Sequence, residues 1–210
     1  MHTMSFIYVK CLATVRALRF LACIYCTPFL FRKMKSKTCC FTGHRKIPGD
    51  ELPQIKTKLK NTIIELINNG VIYYGAGGAL GFDTLAALTV LELKQQYPQI
   101  KLILVLPCKN QTRNWRQNDI DIYDDIKQKA DKFVYTSELY YNGCMQKRNR
   151  HLVDNSSYCI CYKTHDTGGT AFTVNYANKQ RLKIINIGGA QGTAVQGDGP
   201  LCTQSRSFNH

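Results

Sequence analysis

The chain has 210 residues, of which 44% are hydrophobic and 20% are charged, and these proportions fit one soluble globular domain and exclude a fibrous or wholly disordered protein. Its formal net charge is +14; residues 1–36 carry six basic residues and no acidic one, and the residues after Ile187 add no net charge, which leaves +8 on residues 37–187. That excess favours phosphate-bearing ligands and permits weak nucleic-acid contact, without establishing either.

The ten cysteines do not indicate a disulfide framework. Cys39 and Cys40 are adjacent in one predicted strand, and Cys159 and Cys161 alternate in another, where cysteine serves as a small apolar residue. A chain of this length needs no cross-links, so we expect reduced thiols. Only Cys23–Cys26 has the spacing of half a zinc site. We therefore expect no bound metal and no other cofactor.

The first part of the chain differs in composition from the rest. The apolar run Phe20–Phe31 follows two arginines and is too short to span a bilayer unaided. It resembles the apolar region of a signal peptide, but no small-residue cleavage site follows it. We interpret residues 1–36 as a non-native or disordered extension, with Met34 as the functional start. A membrane-associating basic helix is the alternative.

Between this extension and the C-terminal tail, short β-rich runs alternate with helical segments. The predicted strands are Thr38–Thr42, Val71–Tyr74, Leu102–Leu106, Phe133–Tyr135, Tyr158–Tyr162 and Ile184–Ile187. The predicted helices are Leu52–Asn68, Phe82–Tyr97, Asp119–Ala130, Cys144–Val153 and Ala171–Lys179. The alternation predicts an α/β fold over residues 37–187, a Rossmann-like parallel sheet with helices on both faces. Residues 188–210, rich in Gly, Gln and Ser, predict a disordered tail.

Glycine clusters follow two of the predicted strands, at the sheet edge where open α/β sheets bind ligands. Gly75, Gly77, Gly78 and Gly81 lead into a helix, so bare amides and the positive helix end can hold a phosphate. A tight structural turn is the alternative, and the usual dinucleotide fingerprint is absent. Under the first interpretation, a bulky residue at Gly78 blocks ligand binding and leaves the domain folded.

Asp83 and the second glycine cluster extend this candidate site. Asp83 lies in the first turn of its helix, where it either caps the helix or binds a ribose hydroxyl. Gly168, Gly169 and Thr170 repeat the glycine turn after the fifth strand. Two such turns on one edge of a sheet strengthen the prediction of an anion site there.

Four further residues follow the first and third strands. Arg45 can pair with a phosphate through two hydrogen bonds, or be an ordinary surface arginine. His44 is either a proton donor or a hydrogen-bonding group. Gln111 and Trp115 follow the third strand, and the only tryptophan either stacks on a base or anchors the core. Arg148 and Asn149 lie in a basic helical stretch that is solvated or functional.

These motifs together resemble the YpsA-like branch of the SLOG superfamily, which is related more distantly to the DprA and LOG proteins. The motifs are Cys40–Arg45, the Gly75–Asp83 turn, Pro107 with Gln111 and Trp115, Met145–Asp154 and Gly168–Thr170, and the resemblance spans residues 37–187. It implies a Rossmann-like sheet that recognises nucleotides or their derivatives. It also implies a cytoplasmic protein of bacterial or phage origin, with a role in stress, division or defence signalling. The pocket it implies contains Gly43, Arg45, the Gly75–Asp83 turn, Arg148, Asn149 and Gly168–Thr170.

The sequence favours a binding protein over an enzyme. LOG-type relatives cleave the base from a nucleotide and carry a glutamate after the second glycine turn, where this chain has Thr173. Glycosidic cleavage commonly needs carboxylates, and nothing specifies Asp83, Asp154 or Asp166 for that role. We expect a protein that binds or senses a small nucleotide derivative such as ADP-ribose or NAD, and we assign no catalytic residue.

Two alternatives stay open. The first is a LOG-like nucleotide N-glycosidase or other hydrolase. The second is a DprA-like binder of single-stranded nucleic acid, although the sequence lacks the aromatic and basic stripe that stacks single strands. We expect no membrane contact for residues 37–187, and homo-oligomerisation is compatible with the sequence.

Overall fold

Strands and helices alternate along residues 32–188, which are the residues that this computed structural model describes. The strands are β1 (Thr38–Gly43), β2 (Tyr73–Ala76), β3 (Lys101–Leu106), β4 (Lys132–Tyr135), β5 (Tyr158–Tyr162) and β6 (Lys183–Asn186). The helices are α1 (Leu52–Asn68), α2 (Phe82–Lys94), α3 (Gln117–Lys129), α4 (Cys144–Asp154) and α5 (Gly168–Lys179). The predicted extension up to residue 31 and the tail from residue 189 lie outside the described residues.

The strands form one parallel sheet in the order β4-β3-β2-β1-β5-β6. The chain builds outward from β1 to β4 and then crosses to the other side of β1 for β5. The order therefore reverses between β1 and β5, which pair with Phe41 opposite Ile160. In open α/β sheets this reversal opens a crevice at the carboxyl ends of the two strands.

Each face of the sheet packs against its own layer of helices. Phe41 and Tyr162 point to the face covered by α1, α2 and α3, whereas Cys40, Cys159 and Val153 belong to the core under α4 and α5. The alternation follows from the two-residue period of a strand. The predicted α/β fold, with helices on both faces, is confirmed. The six cysteines among the described residues are free and buried, so they contribute to the core as small apolar side chains.

Some element boundaries differ from the sequence prediction. Strand β2 begins at Tyr73 rather than Val71, because the amides of Gly70 and Val71 still donate to carbonyls at the end of α1. Helix α5 begins at Gly168 rather than Ala171, which places both glycines of the second cluster in its first turn. Within residues 32–188, no helix combines the length and apolar character that crossing a membrane requires.

Candidate functional site

A cavity of about 370 Å³ lies at the carboxyl ends of β1 and β5, beside the reversal of strand order. We call it the switch-point cavity. Its lining comprises Phe41, Thr42, Gly43, His44, Arg45, Ala79, Asp83, Met145, Arg148, Asn149, Gly169 and Thr170. Eight of these side chains or backbone segments belong to the residues that the sequence predicted for the site. The fold thus brings residues from four separate loops and helices to one place.

Two buried charged residues form the floor of the switch-point cavity. Arg148 is 5% exposed and Asp83 is 6% exposed, and the Arg148 Nη1 lies 3.8 Å from the Asp83 Oδ2. The same Nη1 donates a hydrogen bond to the carbonyl of Gly77. Burial raises the pKa of Asp83, against the lowering effects of Arg148 and of two backbone amides. Removing one of these residues would leave the other buried without its counter-charge, so we expect loss of either to destabilise the fold.

A short chain of hydrogen bonds joins Arg148 to the first turn of α5. The Arg148 Nε donates to the Asn149 Oδ1 at 2.6 Å, and the Asn149 Nδ2 donates to the Thr173 Oγ1 at 2.7 Å. The Thr173 hydroxyl donates to the carbonyl of Gly169 at 2.8 Å. Thus Arg148 and Asn149 face the cavity and fix α4 against α5. The sequence indicated the inward direction of Arg148, because residues four apart share a helix face and Arg148 lies four residues from both Cys144 and Leu152, which are buried.

In the first glycine turn, two amides are already used within the protein. The amides of Gly77 and Ala79 both donate to the Asp83 Oδ2, at 3.1 and 3.4 Å, and Gly78 faces the core near Leu106 and Tyr123. These two amides, which the sequence offered to a phosphate, are thus already bound to Asp83. Asp83 accepts from the turn that precedes its helix, no side-chain hydrogen bond from residues 32–188 caps the helix itself, and Asp83 also lines the cavity.

The amino terminus of α2 is also closed. The Phe82 amide donates to the carbonyl of His44 at 3.2 Å, and a Cβ at Gly81 would lie 2.1 Å from the carbonyl oxygen of Arg45. The segment after β1 therefore lies directly against the start of α2. Gly43 has the same packing role, since a Cβ there would lie 2.4 Å from the Phe82 ring. The positive end of this helix faces protein rather than ligand.

The amino terminus of α5, in contrast, opens into the switch-point cavity. No side chain caps it, and added Cβ atoms at Gly168 and Gly169 would meet nothing within 4 Å. Gly169 and Thr170 line the cavity, whereas Gly168 has a φ of +81° and forms the entry to the helix. The first amides of a helix have no partner within it and carry its positive end. The sequence predicted an anion site on this edge of the sheet, and uncapped helix amides of this kind are suited to hold an anion.

His44 serves as a hydrogen-bond acceptor at the rim of the cavity. Its Nε2 accepts from the amide of Thr164 at 3.0 Å, so this nitrogen is unprotonated, and the ring stacks on His165 with centroids 4.0 Å apart. Burial lowers the pKa of His44, and the neighbouring His165 lowers it further. The geometry thus supports the interpretation of His44 as a hydrogen-bonding group rather than a proton donor.

Arg45 supplies an exposed positive charge next to the buried pair. It is an exposed residue that lines the switch-point cavity, and within residues 32–188 it has no carboxylate within salt-bridge distance. Its charge acts on both Asp83 and Arg148. An arginine with unused donors beside an uncapped helix start is suited to a phosphate or carboxylate.

A second cavity, of about 570 Å³, adjoins the first. We call it the loop cavity, because the loops after β3 and β4 form most of its wall; it is lined by Arg45, Ala79, Leu80, Asn110, Gln111, Arg113, Asn114, Trp115, Tyr140, Met145 and Arg148. Gln111 and Trp115, both predicted for the site, lie here. Trp115 also packs edge-on against Tyr123, with centroids 5.6 Å apart, so it anchors the core and lines a cavity at once.

The structure brings only part of the predicted set together. Gly75, Gly77, Gly78, Gly81 and Gly168 shape neighbouring turns but line neither cavity. Four residues that line the cavities were not predicted from the sequence: Met145, Asn110, Arg113 and Tyr140. A signal for Tyr140 existed, because the loop after β4 starts from the same sheet edge as the loops that the sequence singled out.

Few groups in the switch-point cavity can carry acid–base chemistry. Asp83 is the one carboxylate in its lining, and one of its oxygens already accepts two amides. Thr173 is buried and spent on hydrogen bonds to its own helix and to Asn149. Among residues 32–188, no three His, Cys, Asp or Glu side chains cluster as metal ligands.

A parallel sheet with a cavity at its strand-order reversal defines a Rossmann-like α/β protein. Residues 40–187 match the family model YpsA, described as the YspA SLOG family. The chain therefore belongs to this SLOG family.

Two relatives agree with that assignment, and one solved structure shares the fold. A UPF0398 protein from Brevibacillus brevis is 31% identical over 140 residues, covering 65% of this chain and 73% of that protein. The uncharacterized SPbeta prophage-derived protein YoqJ of Bacillus subtilis is 32% identical over 142 residues, covering 61% of this chain and 83% of that protein. DNA processing protein A from Helicobacter pylori, whose structure was described for its single-stranded DNA binding mode, is 20% identical with a TM-score of 0.54, covering 73% of this chain and 66% of that chain. At that identity the likeness extends to the fold alone.

Proposed function

We propose that this protein binds a nucleotide or nucleotide derivative, such as ADP-ribose or NAD, in the switch-point cavity and acts as a sensor rather than a catalyst. The observation that carries the proposal is the uncapped amino terminus of α5, which opens into a cavity that Arg45 and Arg148 also line. Helix amides and arginines are the groups by which proteins recognise phosphates. The family resemblance supports a cytoplasmic role in stress, division or defence signalling.

The site residues of this proposal are those that face the two cavities. Gly169 and Thr170 bind the phosphate through backbone amides, and Arg45 pairs with it from the side. Asn149 and Arg148 fix the position of α5. Gly77 and Gly81 support the site from beneath, because they admit the close approach of Asp83 and Arg45 respectively. Gly75 and Gly78 instead pack against Leu152 and Leu106.

A ligand panel tests the proposal on the full chain. ADP-ribose, NAD and AMP are added separately during thermal unfolding, and the mixtures are analysed afterwards by chromatography. A ligand present at 100 times its dissociation constant stabilises the folded state by about 2.7 kcal/mol. We expect such stabilisation with the ligand recovered intact. Absence of stabilisation by all three compounds would contradict the proposal.

An N-glycosidase is the second candidate, and the observation in its favour is that Asp83 lines the cavity. The same chromatography distinguishes the two functions, because an N-glycosidase releases free base or nicotinamide. If base is released, an Asp83→Asn variant shows whether this carboxylate is needed.

Binding of single-stranded nucleic acid is the third candidate, and the net charge of +8 on residues 37–187 permits it. Affinity for a single-stranded oligonucleotide that falls steeply with salt concentration would favour this function. A small-ligand sensor instead gives weak oligonucleotide binding that does not compete with ADP-ribose.

A further inference from the structure

The loop cavity differs in chemistry from the switch-point cavity beside it. Its wall contains two aromatic side chains, Trp115 and Tyr140, and three side-chain amides, and it contains no carboxylate. Aromatic faces stack on planar heterocycles, and side-chain amides form hydrogen bonds with their edges. The switch-point cavity has the helix amino terminus and no aromatic side chain except Phe41 and His44.

We propose that the loop cavity is the subsite for the heterocyclic base of the ligand, and that one nucleotide spans both cavities with its phosphate at the amino terminus of α5. This inference rests on the proposed function, since it assigns an orientation to the ligand of that site. The two cavities are neighbours, because Arg45, Ala79, Met145 and Arg148 line both. In the proposed orientation the two guanidinium groups lie beside the part of the ligand that joins base and phosphate.

The side-chain amides of the loop cavity are only half used by the protein. The Asn110 Oδ1 accepts from the amide of Tyr140 at 2.9 Å, and the Gln111 Nε2 donates to the carbonyl of Gly78 at 2.9 Å. Within residues 32–188, the Asn110 Nδ2 and the Gln111 Oε1 make no hydrogen bond. A donor and an acceptor are thus left for the edge of a base, and their positions are fixed by the bonds that the other half of each amide makes.

Tyr140 is held in place although most of its side chain is exposed. Its residue is 60% exposed, and its backbone amide is bound to Asn110 of the facing loop. An exposed aromatic side chain on a tethered backbone offers a stacking surface at little conformational cost. Tyr141, the next residue, is 44% exposed and faces a different depression beside α4, so it provides a matched control.

The test compares ligands with and without a base on the wild type, Tyr140→Ala and Tyr141→Ala. Calorimetry gives the affinities of AMP, ADP-ribose and ribose 5-phosphate for each full-length protein. We expect the wild type to bind the better adenine ligand at least 10-fold more tightly than ribose 5-phosphate. Loss of one base–aromatic stack by alanine substitution weakens binding about 5- to 150-fold. We expect that loss for the adenine ligands with Tyr140→Ala, unchanged affinity for ribose 5-phosphate, and no change with Tyr141→Ala.

The outcomes separate this inference from the proposed function. Equal wild-type affinity for ribose 5-phosphate and the adenine ligands would overturn the base subsite and leave the phosphate site standing. The same holds if Tyr140→Ala weakens all three ligands equally or none of them. Failure of the wild type to bind any of these ligands or NAD would overturn the proposed function itself. Because Tyr140 is largely exposed, its replacement leaves the fold intact, and unfolding by denaturant verifies this.

Discussion

Arg45 and Arg148 lie side by side but have different roles at the level of single residues. Arg148 is buried, and its donors are directed at Gly77, Asn149 and Asp83. Arg45 is exposed and unpaired among the described residues. Removing Arg148 leaves Asp83 without its counter-charge, so its loss is expected to destabilise the fold. Removing Arg45 leaves the hydrogen bonds of the buried pair in place and chiefly affects what enters the cavity.

Arg45→Ala should weaken a phosphorylated ligand and spare its dephosphorylated form. Hydrogen bonds to charged groups contribute about 1.5–3 kcal/mol, so AMP binding should fall by about 10- to 100-fold, whereas adenosine binding should change little. Calorimetry with both ligands measures the difference. Arg150→Ala is the control, because Arg150 is exposed on α4 and stacks over Phe172 and Tyr176 outside both cavities. Equal losses for AMP and adenosine would show that Arg45 does not contact the phosphate.

Gly81 and Gly168 provide a matched pair for a prediction about backbone packing. Both have a φ of +81°, which L side chains rarely adopt, so alanine is strained at either position. At Gly81 the ψ of −119° also lies outside the left-handed helical region. At Gly81 the new Cβ would also lie 2.1 Å from the carbonyl oxygen of Arg45, whereas at Gly168 it would meet nothing within 4 Å. Gly81→Ala should therefore destabilise the protein clearly more than Gly168→Ala in urea unfolding. Equal losses would mean that the segment after β1 moves away without cost.

The structure also changes what is expected of Gly78. A Cβ there would lie 2.6 Å from the Leu106 side chain and 3.2 Å from the Tyr123 ring, at a φ of +66°. A bulky residue at Gly78 therefore disrupts the core under α3 instead of blocking ligand binding in a folded domain. This expectation replaces the one drawn from the sequence, which treated every glycine of the turn as facing the ligand.

At the level of elements, the two strand-to-helix glycine turns look alike in sequence and act differently. The turn before α2 is closed by Asp83 and by the carbonyl of His44. Among residues 32–188, no side chain caps the turn before α5 and no carbonyl accepts from its amides. Glycine content alone cannot distinguish the two cases, because the closing groups come from other parts of the chain.

A negative charge placed at the start of α5 tests whether this end binds an anion. Gly169→Asp introduces a carboxylate into open space at the second helical position, where it stabilises the helix by about 0.3–1 kcal/mol. The same charge repels a phosphate a few ångströms away, and at 4 Å near a protein surface that repulsion is about 4 kcal/mol before screening. We expect a protein at least as stable as the wild type that no longer binds AMP. Gly169→Asn adds a side chain of the same shape as aspartate but without the charge, so this variant should still bind AMP. Loss of binding in both variants would mean that the side chain's size, not its charge, blocks the site.

Much of the fold could be predicted from the sequence, for local reasons. Apolar runs such as Leu102–Leu106 gave the strands, and the spacing of Ile55, Leu59 and Ile63 gave α1. The side of the sheet that holds the site followed from the topology rule for open sheets. The loop cavity did not follow, because Tyr140 and Asn110 meet only through the pairing of β3 with β4.

At the level of the whole molecule, Asp131, which lies between α3 and β4, connects these elements to α2 and β3 through ion pairs and a hydrogen bond. Its Oδ2 accepts from the Lys94 Nζ at 2.7 Å and from the Leu102 amide at 2.9 Å, and its Oδ1 lies 3.2 Å from the Lys101 Nζ. Partial burial raises the pKa of Asp131, but these hydrogen bonds outweigh it and hold the pKa below its ordinary value of 3.8. The carboxylate therefore stabilises the fold above that pH.

Asp131→Asn should accordingly destabilise the protein in a pH-dependent way. A depressed folded pKa gives stability that is fully present above the unfolded pKa and is lost as the pH falls through the folded pKa. The variant should be less stable by about 1 kcal/mol or more near pH 7, and the difference should shrink below about pH 4. Urea unfolding between pH 3 and pH 7 measures it. Asp125→Asn, which breaks an exposed pair with Lys129, should show a much smaller difference at every pH.

His44 connects three loops that are far apart in the chain. Its amide donates to Tyr162, its carbonyl accepts from Phe82, and its ring accepts from the amide of Thr164. These hydrogen bonds cannot be broken singly without moving the same residue, so the loops open as one cooperative unit. In hydrogen exchange, the amides of Phe82 and Thr164 should therefore become labile together and be protected together when a ligand binds.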